Sequence, residues 1–224
     1  MAASRLTAIT IAASGAVLAV TALTQVVAEV TPYFVGGVSP AQRFAVIASG
    51  DFAPAGSRWS RELFLNDCID VPRTIYALAQ PSARRQSFLE NCRKHAEAIV
   101  AAAPTASSAW LVVAASSADL DDMHAMLPAL TMSGRTAPAL EWLADRRSRL
   151  AEQHFEQLDQ TALSRYRDDI AVLATGRQGV AVLAQRYARS ADRRDIYTQA
   201  IEDTGSWQQH RFVALVRQEM GGAE

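Results

Sequence analysis

The sequence predicts an all-α protein: an N-terminal transmembrane helix, an irregular tether, and a domain of antiparallel helical hairpins. Three observations predict this. Residues 6–28 run for twenty-three positions without a charge, and about 20 such residues cross a bilayer as a helix. From Trp59 onward the apolar residues recur at intervals of three and four. No stretch after residue 58 alternates with period two, so no strand is expected there. The divisions are residues 1–30, 31–58 and 59–224.

Arg5 precedes the uncharged run and Glu29 follows it. The positive-inside bias then leaves Met1 in the cytoplasm and the rest of the chain outside. The expected location is a single-pass bacterial inner-membrane protein with a periplasmic C-terminal domain. Val26-Val27-Ala28 also suits signal peptidase, so the segment is a membrane anchor or a cleaved signal. Gly15 with Ala12, Ala16 and Ala19 offers a face on which another span can pack closely.

Between residues 31 and 58, Pro32, Gly36, Gly37, Pro40, Gly50, Pro54 and Gly56 interrupt any long periodicity. Within this tether Ser39-Pro40 can open one short helix, with Phe44 and Ile47 on a shared face.

Trp59 to Leu65 begins the helical domain and leads to Cys68, and Pro72 opens a short helix carrying Ile75, Tyr76 and Leu78. Next, at about 84–103, Phe88, Cys92, Ala96, Ile99 and Ala103 form one stripe. An even cysteine count in an exported chain invites pairing. A Cys68–Cys92 disulfide would contribute about 3 kcal/mol in the chain-entropy model. Two buried free thiols or a metal pair are the alternatives, and the absence of a CxxC motif speaks against metal.

Residues 104–138 read as one helical hairpin with a proline at each end. Trp110 lies six residues after Pro104, and small Ala114 lets two helices approach. Met126, Leu130 and Ser133 occupy the packing positions of the second helix, and Pro138 closes the unit. Asp119 is placed as an N-cap, and Gly134 as a C-terminal stop. The interval of 34 residues is the period of the tetratricopeptide repeat, which this unit resembles. Stepping back by that period pairs Tyr76 with Trp110 and Cys92 with Met126, a weaker copy. The resemblance implies an α-solenoid, in which stacked hairpins expose a concave groove.

Leu140, Leu143 and Leu150 stripe the following helix, with Trp142 beside them and Arg146, Arg147 and Arg149 on a solvated face. Asp159 caps a helix bearing Leu163, Tyr166, Ile170 and Leu173, which Gly176 ends. Val180, Leu183, Ala184 and Tyr187 mark another helix, and Ile196, Tyr197, Ala200 and Ile201 a further one. Ser206-x-x-Gln209 reads as a capping box opening the last, with Trp207 as a packing anchor.

Chemistry is sparse. With a net charge of −1 and a pI near 6.4, no nucleic acid is expected as a partner. Lys94 is the only lysine, and residues 134–217 hold thirteen arginines against eleven acids. Arginine forks suit carboxylates, so an acidic polysaccharide is a candidate ligand. The histidines His95, His124, His154 and His210 show no metal-ligand spacing, and no nucleophile elbow or phosphate loop is present. Gly176-Arg177-Gln178-Gly179 is a pair of helix-boundary glycines. No catalytic residue, metal or cofactor is assigned. The expectation is a non-enzymatic interaction protein. Glu62, Glu90 and Glu141 are candidates for a glycosidase carboxylate pair, which needs two acids facing one cleft, and nothing in the sequence brings them together. The alternatives are a cell-wall or polysaccharide enzyme with a single acidic catalytic residue, and an accessory subunit of an inner-membrane complex.

The stretch from Ala103 to Leu150, with P-T-A-S-S-A-W, A-L-T-M-S-G, A-P-A-L-E-W-L and R-R-S-R-L, carries a further resemblance. It is similar to small membrane-anchored tetratricopeptide-like proteins found beside bacterial surface-polysaccharide export and polymerisation machinery. That resemblance implies a helper role among protein partners of a membrane complex.

Overall fold

The computed structural model describes residues 2–35, 39–52, 54 and 56–221, apart from the side chains of 2–10, 28 and 31–35. All regular structure among the described residues is helical. The chain divides into two compact units, residues 1–91 and 92–224, with the division falling inside helix α5 (Ser82–Ala102).

In the first unit, α1 (Ala2–Val35) is 34 residues long. It continues past Pro32, so the tether begins later than the sequence suggested. At all of residues 11–27 its side chains are exposed, among them Ile11, Val17, Leu18, Val20 and Leu23. Among the described residues no helix is long and apolar enough to cross a membrane. Residues 6–10 and 28 of the expected span lie outside the described side chains.

Helix α2 (Pro40–Ser49) forms as the Ser39-Pro40 signal implies, with Phe44 and Ile47 buried. Ser39 and Gln42 complete a capping box, in which each side chain satisfies the other's backbone amide. Gly50 ends α2 at φ 77, a left-handed conformation that glycine adopts without a Cβ penalty. Asn91 Nδ2 donates to the Ile47 carbonyl at 2.9 Å, and a Cβ on Gly50 would meet that same side chain at 3.3 Å.

Helix α3 (Arg58–Asp70) is capped by Ser57, whose side chain accepts from the Ser60 amide. It buries Phe64, Leu65, Cys68 and Ile69. A 3-10 turn (Val71–Arg73) and the four-residue helix α4 (Ile75–Leu78) follow. Tyr76 thus lies on a single helical turn, and residues 70–92 do not form the second long hairpin projected from the 34-residue period. Thr74-Ile75 and Gln80-Pro81 break the chain where that hairpin needs a continuous helix. Phe44 stacks on Phe88 at 5.0 Å and meets the edge of Tyr76 at 5.9 Å. Cys68 and Cys92 are buried and disulfide-bonded.

The second unit contains α6 (Ser107–Asp119), α7 (Met123–Thr136), α8 (Glu141–Gln153), α9 (Gln160–Thr175), α10 (Arg177–Arg189), α11 (Arg194–Glu202) and α12 (Ser206–Gly221). Helices α6 and α7 form the expected hairpin. Ala114, Met126, Leu130 and Ser133 are all buried there, while Pro104 and Pro138 are exposed. The serines lock it reciprocally: Ser107 Oγ donates to the Ser133 carbonyl at 2.7 Å, and Ser133 Oγ to the Ser107 carbonyl at 3.0 Å.

Trp110 is half-buried, and its indole Nε1 donates to the Pro104 carbonyl at 2.8 Å. Trp110→Phe removes that bond and is expected to cost about 1 kcal/mol, read from the urea midpoint. This is a smaller role than that of the buried aromatic the repeat pattern implies.

Three boundaries differ from the sequence reading. Asp119 closes α6, and the cap of α7 is Asp122, which accepts from the Ala125 amide at 3.1 Å. Asp121, at φ 59, turns the chain between them. Gly134 does not stop α7 but lies buried within it, where a Cβ would meet Arg165 Cδ at 3.3 Å. Ser206 is the first residue of α12 and not its cap. Gln209 Nε2 instead donates back to the carbonyls of Glu202 and Thr204.

Asp159 does cap α9, accepting from the Ala162 amide at 2.7 Å, and Gly176 ends that helix. Tyr166, Ile170, Leu173, Val180, Leu183, Tyr197 and Ile201 form the shared core of α9, α10 and α11. Helix α12 packs on α10, with Phe212 edge-on to Tyr187 at 5.4 Å.

Candidate functional site

The densest chemistry lies inside the second unit, in a polar network strung through its helices. Helix α8 supplies most of it. Leu143, Ala144, Leu150 and Ala151 set its buried stripe, and Arg147 and Ser148 share the same covered side. The spacing from Leu143 to Arg147 to Ala151 is i, i+4, i+8, so Arg147 occupies a core position. Its exposure is 1%. This corrects the solvated face for Arg147, while Arg149 is exposed as expected and Arg146 is half-buried.

Arg147 is covered because α9 brings Asp169 to it. Arg147 Nε donates to both Asp169 oxygens at 3.1 and 3.0 Å, Nη2 donates to Oδ1, and Nη1 reaches the Ser133 carbonyl at 3.4 Å. Guanidinium and carboxylate match as planar forks. Burial pushes the Asp169 carboxyl above the usual carboxylate range, while its hydrogen bonds from Arg147 and the Arg147 charge pull the other way.

A second cluster is centred on Glu152, about one and a half turns further along α8. Its Oε1 accepts from Tyr166 Oη at 3.1 Å, Tyr197 Oη at 3.0 Å and Arg186 Nη1 at 3.0 Å. Arg186 also donates to Ser148 Oγ at 2.8 Å and pairs with Asp145. Four helices (α8, α9, α10 and α11) are thereby tied to one carboxylate. Burial, reinforced by the Glu152 charge, raises the Tyr166 hydroxyl above the ordinary range and pushes Tyr197 up to about 12.

The sign of the pH effect follows from these directions. A tyrosine held protonated in the fold contributes stability that is complete below the unfolded value near 10 and is lost as pH rises through the folded one. Tyrosinate absorbance from these two residues is expected only as the unit unfolds in alkali. Comparison with Tyr166→Phe and Tyr197→Phe in a spectrophotometric titration checks this.

The sequence-derived acids do not meet in a common site. Glu90 accepts from Gln86 Nε2 at 2.8 Å, one turn away. Glu62 is half-buried on α3. Glu141 Oε1 accepts from the Gly179 amide at 2.6 Å in the first turn of α10. A Cβ on Gly176 would overlap that carboxylate, and one on Gly179 would overlap the Leu173 backbone. Gly176-x-x-Gly179 therefore cradles an anion after all, and the anion is the chain's own Glu141. No group of three or more metal-ligating side chains occurs among the described residues.

In the first unit Arg43 Nη1 pairs with Asp67 Oδ1 at 2.7 Å, beside a small cleft lined by Val46, Ile47, Phe52, Leu63 and Phe64. Burial raises the Asp67 carboxyl, against the opposing pull of Arg43.

Two tryptophans of the second unit face outward under arginines. Arg146 lies over Trp142 at 5.5 Å, and Arg211 over Trp207 at 5.6 Å. Trp207 is 50% exposed, which corrects its assignment as a packing anchor. The i, i+4 spacing of each pair was present in the sequence and is the signal that finds them.

No protein-family model matches the chain, and no significant match was found among curated proteins or solved structures.

Proposed function

We propose that this protein is a membrane-anchored, non-enzymatic scaffold on the periplasmic face of a bacterial inner membrane, working beside surface-polysaccharide export or polymerisation machinery. The observation that carries the anchorage is α1. Seventeen consecutive described positions, 11–27, are uncharged and exposed on every side of the helix. An uncharged helix exposed on every side needs a cover, and a lipid bilayer supplies one around the full circumference. The Cys68–Cys92 disulfide is in keeping with an oxidising compartment.

The scaffold reading rests on how the acids of the second unit are used. Asp169 has both oxygens, and Glu152 and Glu141 each have Oε1, engaged by arginine, tyrosine or backbone donors of the same unit. These carboxylates order helices instead of offering a proton to a substrate. The tetratricopeptide-like hairpin α6–α7 and the resemblance of Ala103–Leu150 support the polysaccharide context. The exposed Trp142–Arg146 and Trp207–Arg211 stacks are the surfaces suited to an acidic sugar polymer or a protein partner.

The test is topological and biochemical together. A periplasm-dependent reporter fused after Glu224 is expected to be active, and the fusion to stay in carbonate-washed membranes and co-elute with partner proteins in mild detergent. Activity of a cytoplasm-dependent reporter at that site would overturn the reading.

A further inference from the structure

The end of the exposed apolar run is tied to one point in the rest of the first unit. Glu29 closes the run, and its Oε1 accepts from the Ser57 amide at 2.7 Å. Ser57 is the N-cap of α3, so the first turn of α3 is held at the level of Glu29. Trp59 sits in that turn and is 76% exposed. Leu63, four residues on and so on the same face, is 39% exposed. The opposite side of α3 carries Ser60, Phe64, Leu65 and Cys68 into the core. Arg58, next to Trp59, is also exposed.

Residues 6–28 extend about 34 Å as a helix, against a hydrocarbon thickness of about 30 Å. A span of that length places Glu29 at the hydrocarbon boundary, and Trp59 within one helical turn of the Ser57 that Glu29 holds. A tryptophan with a neighbouring arginine is the composition of the headgroup zone, where the ring is half in the apolar layer and the cation meets lipid phosphate. Resting on the anchored reading above, we infer that the first turn of α3 is a second membrane contact, with Trp59 as an interfacial anchor and Arg58 against anionic headgroups. The lipid surface thus covers the Trp59–Leu63 face and sets the tilt of the first unit on the bilayer.

The test uses the full chain in phosphatidylethanolamine–phosphatidylglycerol vesicles doped with lipid brominated near the carbonyl or near the methyl end of its acyl chain. Tryptophan quenching is compared for the parent chain, Trp59→Phe and Trp142→Phe, with far-UV circular dichroism checking the fold. The expected result is that quenching by the shallow bromolipid exceeds that by the deep one. Most of it should be lost in Trp59→Phe and retained in Trp142→Phe. If the chain resists carbonate extraction but Trp59→Phe leaves the quenching unchanged, or the deep lipid quenches Trp59 more, the interfacial contact is overturned and the anchor stands. If the chain washes off the vesicles, both fail.

Discussion

Arg147→Met is expected to destabilise the 92–224 unit by about 3–5 kcal/mol, because it strands the Asp169 carboxylate in the core. The pair is nearly dry, with side-chain exposures of 1% for Arg147 and 7% for Asp169. An ionised carboxylate left there loses both guanidinium donors, Nε and Nη2, at once, and its desolvation goes uncompensated. The double replacement Arg147→Met/Asp169→Leu removes both charges and is expected to recover most of the loss, since apolar side chains of similar volume often do as well as a buried ion pair. Urea unfolding followed by tryptophan fluorescence, arranged as a double-mutant cycle, reads both values. A single variant with near-parental stability would show that the guanidinium is not enclosed.

Gly179→Ala is expected to cost about 3 kcal/mol or more, at the upper end of overpacking substitutions. The added methyl would collide with the carbonyl and Cα of Leu173, which are backbone atoms fixed in the last turn of α9. Gly176→Ala provides the contrast. The nearest atoms its methyl would meet belong to the Glu141 carboxylate, the far end of a side chain that can swing away. The cost there is the lost Glu141–Gly179 hydrogen bond, about 1–2 kcal/mol. Thermal unfolding of the two variants separates them, and equal shifts would contradict the packing at this corner.

The helices were legible because their apolar spacing is a local signal. Phe88, Cys92, Ala96 and Ile99 on α5, or Tyr166, Ile170 and Leu173 on α9, are buried in the order their three-and-four spacing predicts. Ser39 and Asp159 were readable as caps for the same reason. The buried polar network was not. Arg147 sits in an arginine-rich run that looks solvated, and only Asp169, twenty-two residues away on another helix, gives it a reason to be inside. Long-range charge pairing leaves no trace in a periodicity.

Cap placement failed where several candidates competed. Asp119, Asp121 and Asp122 all suit a helix start, and the choice of Asp122 depends on where α6 runs out. The 34-residue period likewise saw one hairpin truly and projected a second onto residues that fold as a 3-10 turn and a single helical turn.

Helix α6 has one more consequence. Eleven of its thirteen residues are buried, so it has no side from which solvent can work its way in. Its amides can trade hydrogen with water only through openings that dismantle the surrounding helices. The lifetime of the second unit is then governed by a central rod of alanine, serine and valine, and fraying at α12 or in the turns can proceed without disturbing it.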